Sequence, residues 1–309
     1  MASTVSPAAG GGPVLPSAPA ARRSLWRRRG RADIDAAATV LAAPGGLRRV
    51  VAPVVVVTLL ALLAPLAAPP GSLDITAAGP LHKPSFGNLL GTDEIGRDVL
   101  SRVLYGLRSS WLAAVGVILL GTVIGSVIGA LAGAFGGWLD TVLMRLTDLF
   151  LALPAPVLAI AVIASLGPSL THTLLALSVV WWPWYARIVR GEVRALAARP
   201  HTEAARLAGV SRRRLVCKHL LPGAVTPVVV TMSLDVGNLI LALAGLSFIG
   251  LGAPAPAAEL GAMSARGLDY LFGHPWVPLA PAAAVALLAL TANVLGDHVN
   301  RTLDQRTTR

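Results

Sequence analysis

Six long apolar runs constrain what this chain can fold into more than any other feature. Each run is close to the roughly 20 residues that an α-helix needs to cross the hydrocarbon core of a bilayer. Within that core the backbone polar groups of a lone segment must be bonded inside the segment itself, so we expect helices. The runs cover residues 50–68, 111–133, 146–166, 170–188, 223–246 and 277–295. The sequence therefore predicts an all-α, polytopic membrane protein with six transmembrane helices.

Composition and charge agree with this architecture. Only 13% of the residues are charged and the mean hydropathy is +0.70, whereas a soluble domain carries roughly 25% charged residues. The net charge of +11 comes mostly from basic groups that flank apolar runs, which is typical of cytoplasmic segments and does not indicate nucleic-acid binding. Eight arginines lie in the first 49 residues: Arg22, Arg23, Arg27, Arg28, Arg29, Arg31, Arg48 and Arg49. We therefore expect both termini on the cytoplasmic side of the cell membrane.

The chain divides into five parts by composition. Residues 1–49, rich in Ala, Pro, Gly and Arg, predict a disordered, Arg-rich cytoplasmic tail. An N-terminal anchor helix is expected over 50–68 and an extracytoplasmic loop over 69–106. The main transmembrane region then covers 107–297, and a cytoplasmic tail covers 298–309.

An apolar stripe marks the end of the extracytoplasmic loop. It consists of Val99, Leu100, Val103 and Leu104, in a segment whose charges balance. Such a stripe predicts a helix lying at the membrane interface, and contact with a substrate-delivering protein is the alternative.

A polar, basic loop over residues 203–222 separates two of the apolar runs. Thr202 is the expected N-cap of a short helix, and Glu203 complements the dipole at its start. Ala204 and Ala205 give that helix a face with little side-chain bulk, and Gly209 is expected to end it. The pattern predicts a pair of short helices; the residues alone leave open whether they contact a protein partner or lie on lipid headgroups.

The spacing of this loop resembles a known family motif. Glu203, Ala204, Ala205, Gly209, His219, Leu221 and Pro222 stand where the EAA loop of importer-type ABC permeases has its motif residues, although the family often has an apolar residue at the position of His219. Further segments resemble the C-type permease of dipeptide, oligopeptide and nickel importers. They are residues 91–98 with 101–102, 246–252, 259–263 and 293–297.

The resemblance implies a type I ABC importer permease fold in a bacterial cell membrane. It implies that the 203–222 loop docks on a cytoplasmic ATPase, that the importer has two cytoplasmic ATP-binding subunits, and that the chain pairs with a second, homologous permease. It also implies an extracytoplasmic binding protein that delivers a short peptide, with nickel or a metal–chelator complex as the alternative substrate. The two lysines, Lys83 and Lys218, follow His82 and Cys217, so no P-loop is predicted here and ATP hydrolysis is expected in the partner subunits.

Four glycines in the second apolar run share one helix face at four-residue spacing: Gly121, Gly125, Gly129 and Gly133. They predict close helix packing, either inside this chain or against a partner permease. Asp235 and Asn238 lie within the fifth run, where a polar group either lines the translocation path or is a paired structural group. In the third run, Arg145 and Asp148 are expected to pair with each other.

The sequence shows no catalytic set. The six histidines have no HExxH or other close metal-ligand spacing, so we expect a non-catalytic chain without a metal site or cofactor. The competing hypothesis is an ATP-independent channel or secondary transporter, in which the 203–222 loop would lie on the membrane surface.

Overall fold

A computed structural model describes residues 46–68 and 79–304, so the predicted structure of the N-terminal tail lies almost wholly outside the described residues. The described chain forms helices that are joined by loops, and an isolated β-bridge links Thr92 to Asp98. The helices are α1 (Gly46–Leu63, followed by a short 3-10 turn), α2 (Val99–Phe135), α3 (Gly137–Ala152), α4 (Ala155–Leu166), α5 (Leu170–Ala197), α6 (Pro200–Leu207), α7 (Arg212–Leu215), α8 (Leu221–Phe248), α9 (Leu260–Gly267) and α10 (Trp276–Asp304).

The all-α membrane architecture is confirmed, but the count of six spans is not. In the described residues, α2, α8 and α10 are long and apolar enough to cross a membrane, and α3 with α4 would make a fourth crossing if the bent pair is one span. α1 is shorter. Each predicted run lies on a helix or helix pair. α5 is not among these candidate spans, because its Trp, Tyr, His, Pro and charged residues lower its hydropathy.

The third apolar run forms two separate helices and not the single kinked helix that its prolines, Pro154 and Pro156, predict. α3 ends at Ala152 and α4 begins at Ala155, and the two helices meet at an angle of 90°. Pro154 lies at the break. Proline has no amide hydrogen to donate and disfavours helical geometry in the residue before it, so the chain turns here instead of bending gently.

α2 is longer than its apolar run suggested. Its 37 residues span about 55 Å, well beyond a hydrocarbon core of roughly 30 Å. Asp98 caps its first turn, accepting hydrogen bonds from Ser101 N at 2.8 Å and Ser101 Oγ at 2.6 Å. The predicted interfacial helix is therefore the beginning of α2. Its stripe residues Val99 and Val103 are buried against Leu260 of α9 and do not lie on a membrane surface.

The glycine face of α2 packs against α5. A Cβ atom built on Gly125 would lie 2.5 Å from Trp182 O, and one built on Gly133 would lie 2.9 Å from Val193 Cγ1. Distances this short leave no room for a methyl group, so glycine is what lets the two backbones approach. α8 and α10 meet in the same way, because a Cβ on Gly296 would lie 2.5 Å from Ser233 O.

A buried tryptophan attaches α1 to this bundle. Trp111 of α2 has no solvent-accessible surface, and its Nε1 donates to Thr58 Oγ1 at 3.0 Å. Since a buried indole N–H needs a partner, this bond fixes where α1 lies along α2.

Candidate coupling loop and membrane-embedded polar groups

The first short helix of the loop begins at Pro200, two residues before its expected cap, Thr202. Thr202 therefore lies inside this helix, α6. The N-cap prediction for Thr202 was wrong, because proline is favoured in the first turn, where its missing N–H costs nothing. The buried Thr202 hydroxyl instead donates to Leu196 O at 2.9 Å. This bond ties α6 back to the last turn of α5.

Gly209 ends α6, as the sequence predicted. Its φ is +80°, and Val210 N donates back to Ala205 O at 3.1 Å. A residue with a side chain rarely adopts this left-handed geometry. A Cβ on Gly209 would meet no atom within 4 Å, so a larger residue here would strain the backbone and project into open space without clashing.

The second half of the loop is anchored in the bundle. α7 is followed by a π-helical turn over Val216–Leu220, and α8 begins directly after it at Leu221, with Pro222 in its first turn. Leu215 and Leu220 are almost completely buried against a cluster that includes Val193 and Leu196 of α5. Ala205, Val210 and Leu221 are half-buried against the same cluster.

The opposite face of the loop is exposed. Among the residues whose burial the structure describes, the exposed ones are Glu203, Ala204, Leu207, Ala208, Gly209, Ser211, Arg214, Lys218 and Pro222. Leu207 is 86% exposed, which is unusual for a leucine between two anchored segments. The loop therefore presents a ridge, residues 203–209, whose inner face is anchored on the helix bundle and whose outer face is exposed.

Asp235 is half-buried and bonded across the bundle, whereas Asn238 is exposed. Tyr185 Oη of α5 donates to Asp235 Oδ2 at 2.9 Å, and the side chains of Asn238 and Trp181 also interact with this carboxylate. The bond connects α8 to α5.

Sequence reasoning missed a set of ion pairs between α3 and α5. Asp140 accepts hydrogen bonds from Arg190 Nε at 2.5 Å and Arg190 Nη2 at 2.9 Å, and it also pairs with Arg194. Asp148 pairs with Arg187 at 2.6 Å, so the expected pairing with Arg145 was wrong. The i, i+3, i+7 spacing of the three α5 arginines places them on one helix face, and this was the signal available in the sequence.

A second set of ion pairs, which is buried, lies near the start of α2 and was also missed. Asp93 accepts from Arg97 Nε at 2.8 Å and lies 3.4 Å from Arg102 Nε. Arg102 donates to Pro256 O at 3.2 Å and to Ala257 O at 3.3 Å. All three charged side chains are less than 10% exposed. We call this set the Asp93 network; the balanced charges of this segment were its only sign in the sequence.

Next to the Asp93 network, Glu259 caps α9. Its carboxylate accepts from Gly261 N at 3.2 Å and Ala262 N at 2.8 Å. Burial raises the pKa of Glu259 above its ordinary value, and these two backbone hydrogen bonds oppose that rise. A cavity of about 520 Å³ lies beside these groups, lined by Arg97, Arg102, Tyr105, Arg108, Ser109, Leu112, Pro256, Ala257 and Ala258.

In the part of the chain that the structure describes, His, Cys, Asp and Glu side chains form no group of three or more suited to a metal ion. The geometry provides an exposed ridge, a set of partly exposed ion pairs between α3 and α5, and a buried charge network beside the start of α2.

Comparisons with known proteins identify the family. Residues 125–309 match the family model described as "Binding-protein-dependent transport system inner membrane component". The chain is 39% identical over 237 residues to the "Probable D,D-dipeptide transport system permease protein DdpC" of Escherichia coli (strain K12), covering 77% of this chain and 79% of that protein. It is 36% identical over 259 residues to the dipeptide transport system permease protein DppC of Haemophilus influenzae, covering 82% and 88%.

The fold is also similar to a solved structure. A chain of the inward-facing MetNI methionine ABC transporter superposes with a TM-score of 0.53 at 22% identity, covering 65% of this chain and 95% of that chain. At this identity the likeness concerns the fold alone. On the family match and the relatives together, this chain belongs to the inner membrane components of binding-protein-dependent transport systems.

Proposed function

We propose that this chain is a permease subunit of an ATP-driven importer for short peptides and forms half of the translocation path. The family supports the membrane transport role. The peptide substrate is supported by two relatives, at 39% and 36% identity, whose names describe dipeptide transport. ATP hydrolysis takes place in partner subunits, and this chain is not an enzyme.

The coupling role rests on one observation: the 203–209 ridge is exposed along its outer face while its inner face is anchored. Leu207 projects into solvent, whereas Thr202 and Leu215 are buried against the end of α5. A short helix whose inner face is anchored and whose outer face carries small side chains is suited to bind in a groove on another protein. On this proposal each of two cytoplasmic ATP-binding subunits docks on one permease, and one of them docks on this ridge.

The remaining partners follow from the same role. A second, homologous permease completes the path, and an extracytoplasmic binding protein delivers the substrate. On this proposal both termini lie in the cytoplasm of a bacterial cell, which is supported by the arginines of residues 1–49 and the basic residues of the 203–222 loop.

Two sets of membrane-embedded residues have structural roles in this proposal. The close contacts of the glycine face with α5 support a packing role within this chain. The Tyr185 hydrogen bond supports a bracing role for Asp235, so its carboxylate contributes to the shape of the path and is not a primary contact for substrate.

The test is uptake by the complete importer in proteoliposomes, with glycyl-leucine as the probe. We expect uptake that requires ATP and the binding protein, and we expect Gly209→Glu to abolish uptake while the chain still inserts in the membrane. Gly191→Ala is a suitable control, because Gly191 lies in open space within α5. Uptake without ATP would support a channel or secondary transporter, and ATP-dependent uptake of nickel in place of the dipeptide would overturn the peptide assignment.

A further inference from the structure

α5 is joined to its neighbours α2 and α3 in two different ways. α2 and α5 are locked by backbone contact along the glycine face, where Gly129 lies directly against Ala186 and Arg190. α3 packs more loosely, with an apolar outer face that is largely exposed and includes Trp138 and Leu149. Because a helix without close backbone packing can shift against its neighbours, its motion is set by the few specific contacts it makes.

Those specific contacts are two sets of ion pairs and one edge-to-face ring contact, between Phe150 and Trp182 at the far end of α3. Asp140 lies at the beginning of α3 and pairs with Arg190 and Arg194 near the end of α5. Asp148 lies two turns later and pairs with Arg187, which is earlier in α5. The reversed order fits two antiparallel helices that face each other along their length.

The two pairs differ in burial. The Asp140 side chain is 8% exposed and is held by two guanidinium groups, one of them through a two-bond fork. The Asp148 and Arg187 side chains are each 50% exposed. A solvent-exposed pair contributes little to stability, whereas a buried carboxylate between two arginines fixes geometry. Asp140 is therefore the contact that specifies where α3 lies against α5.

The same arginines lie close to the ridge along the chain. Arg194 is two residues before Leu196, whose carbonyl accepts the Thr202 hydroxyl. α6 is thus fastened to the end of α5, and the end of α5 is fastened to α3. α3 in turn leads through the 90° break to α4. This gives a continuous set of bonds from the ridge to the bent helix pair.

We propose that Asp140 is a positioning residue for transport: Arg190 and Arg194 hold α3 through its carboxylate, so that displacement of the 203–209 ridge by an ATPase moves α3 and α4 together with α5. The proposal rests on the proposed function of the ridge. Asp140 contacts no substrate in this mechanism; it acts through the position of α3.

The test compares variants of the complete importer, purified with its partner subunits and placed in proteoliposomes. Asp140→Asn keeps the size of the side chain and removes its charge, Asp140→Glu keeps the charge, and Asp148→Asn is the matched control on the same helix. We expect Asp140→Asn to lower ATP-dependent glycyl-leucine uptake by about fivefold or more relative to ATP hydrolysis, within the usual range of coupling effects. Asp140→Glu should retain most of the uptake, and Asp148→Asn should match the wild type.

A second readout needs no substrate. In a Cys217→Ser background, spin labels at Trp138→Cys on α3 and Arg301→Cys on α10 report the separation of the two helices with and without a non-hydrolysable ATP analogue. The separation should change with nucleotide in this background, and Asp140→Asn should abolish the change.

The outcomes separate the two proposals. Wild-type importer that hydrolyses ATP without taking up the dipeptide contradicts the substrate assignment, and the spin-label comparison then decides the role of Asp140. Normal uptake or an unchanged nucleotide response in Asp140→Asn overturns the positioning role. Failure of Asp140→Asn to assemble also overturns it, because the residue would then serve folding alone.

Discussion

The two ends of α2 carry polar segments that use charge in opposite ways. At its beginning, the Asp93 network buries Asp93, Arg97 and Arg102 and saturates them with one another and with backbone carbonyls. Near its far end, the 203–222 loop leaves Glu203 and Lys218 exposed. The difference shows that a charged segment beside an apolar run is either part of the protein interior or part of the exposed surface, and only the packing of the helices decides which.

The difference also concerns what holds each segment in place. The Asp93 network depends on side-chain charges, and removal of Asp93 leaves two buried arginines without their main counter-charge. The 203–222 loop depends on Leu215, Leu220 and backbone turns, so its outer side chains are free to vary without loss of structure. Substitutions should therefore affect stability at one end and coupling at the other.

The largest effect is expected for Asp93→Ala. This change leaves Arg97 and Arg102 buried without their carboxylate, which typically costs about 3–5 kcal/mol. We expect a large loss of thermal stability in detergent together with loss of uptake. Glu94→Gln is the control, because Glu94 is partly exposed and its carboxylate comes no closer than 3.9 Å to the Arg97 guanidinium. Equal stability of the two variants would contradict the interior role of the network.

A pair of leucines within one loop tests the other half of the comparison. Leu215→Ala removes a buried side chain and should cost about 2–5 kcal/mol. Leu207→Ala removes an exposed one and should change stability by no more than about 0.5 kcal/mol. If the ridge docks on an ATPase, Leu207→Ala should nevertheless weaken co-purification of that subunit. Full co-purification with Leu207→Ala and normal stability with Leu215→Ala would reverse the comparison.

A smaller, pH-dependent effect is expected at Glu259. Burial raises its pKa in the folded protein above the ordinary value of 4.5. As pH rises, the unfolded state therefore loses its proton at a lower pH than the folded state does. Stability from this group is complete below pH 4.5 and is lost as pH rises through the raised pKa. Glu259→Gln, which keeps an acceptor for the α9 cap, should flatten this slope in thermal unfolding measured from acidic to neutral pH. An unchanged slope would exclude Glu259 as its source.

Several features of the site could be predicted because they are local. Gly209 ends α6 because glycine tolerates positive φ, and the ring of Pro154 predicts a disturbance of the helix at that residue, although not its 90° turn. The glycine spacing in α2 identified a packing face. Other features could not be predicted, since they join residues far apart in the chain: Asp148 pairs with Arg187 and not with Arg145, and Asp140 pairs with Arg190 and Arg194.

The sequence by itself determined the helical membrane architecture, the family and the position of the 203–222 loop. Hydrocarbon admits few backbone structures, and apolar length and short-range motifs are written directly in the chain. Only the tertiary structure decided that the charges before α2 are interior groups, that α3 and α4 meet at 90°, and that Asp140 joins α3 to the arginines of α5. A charged residue becomes a core group or a docking group according to what lies opposite it, and that depends on how the helices pack.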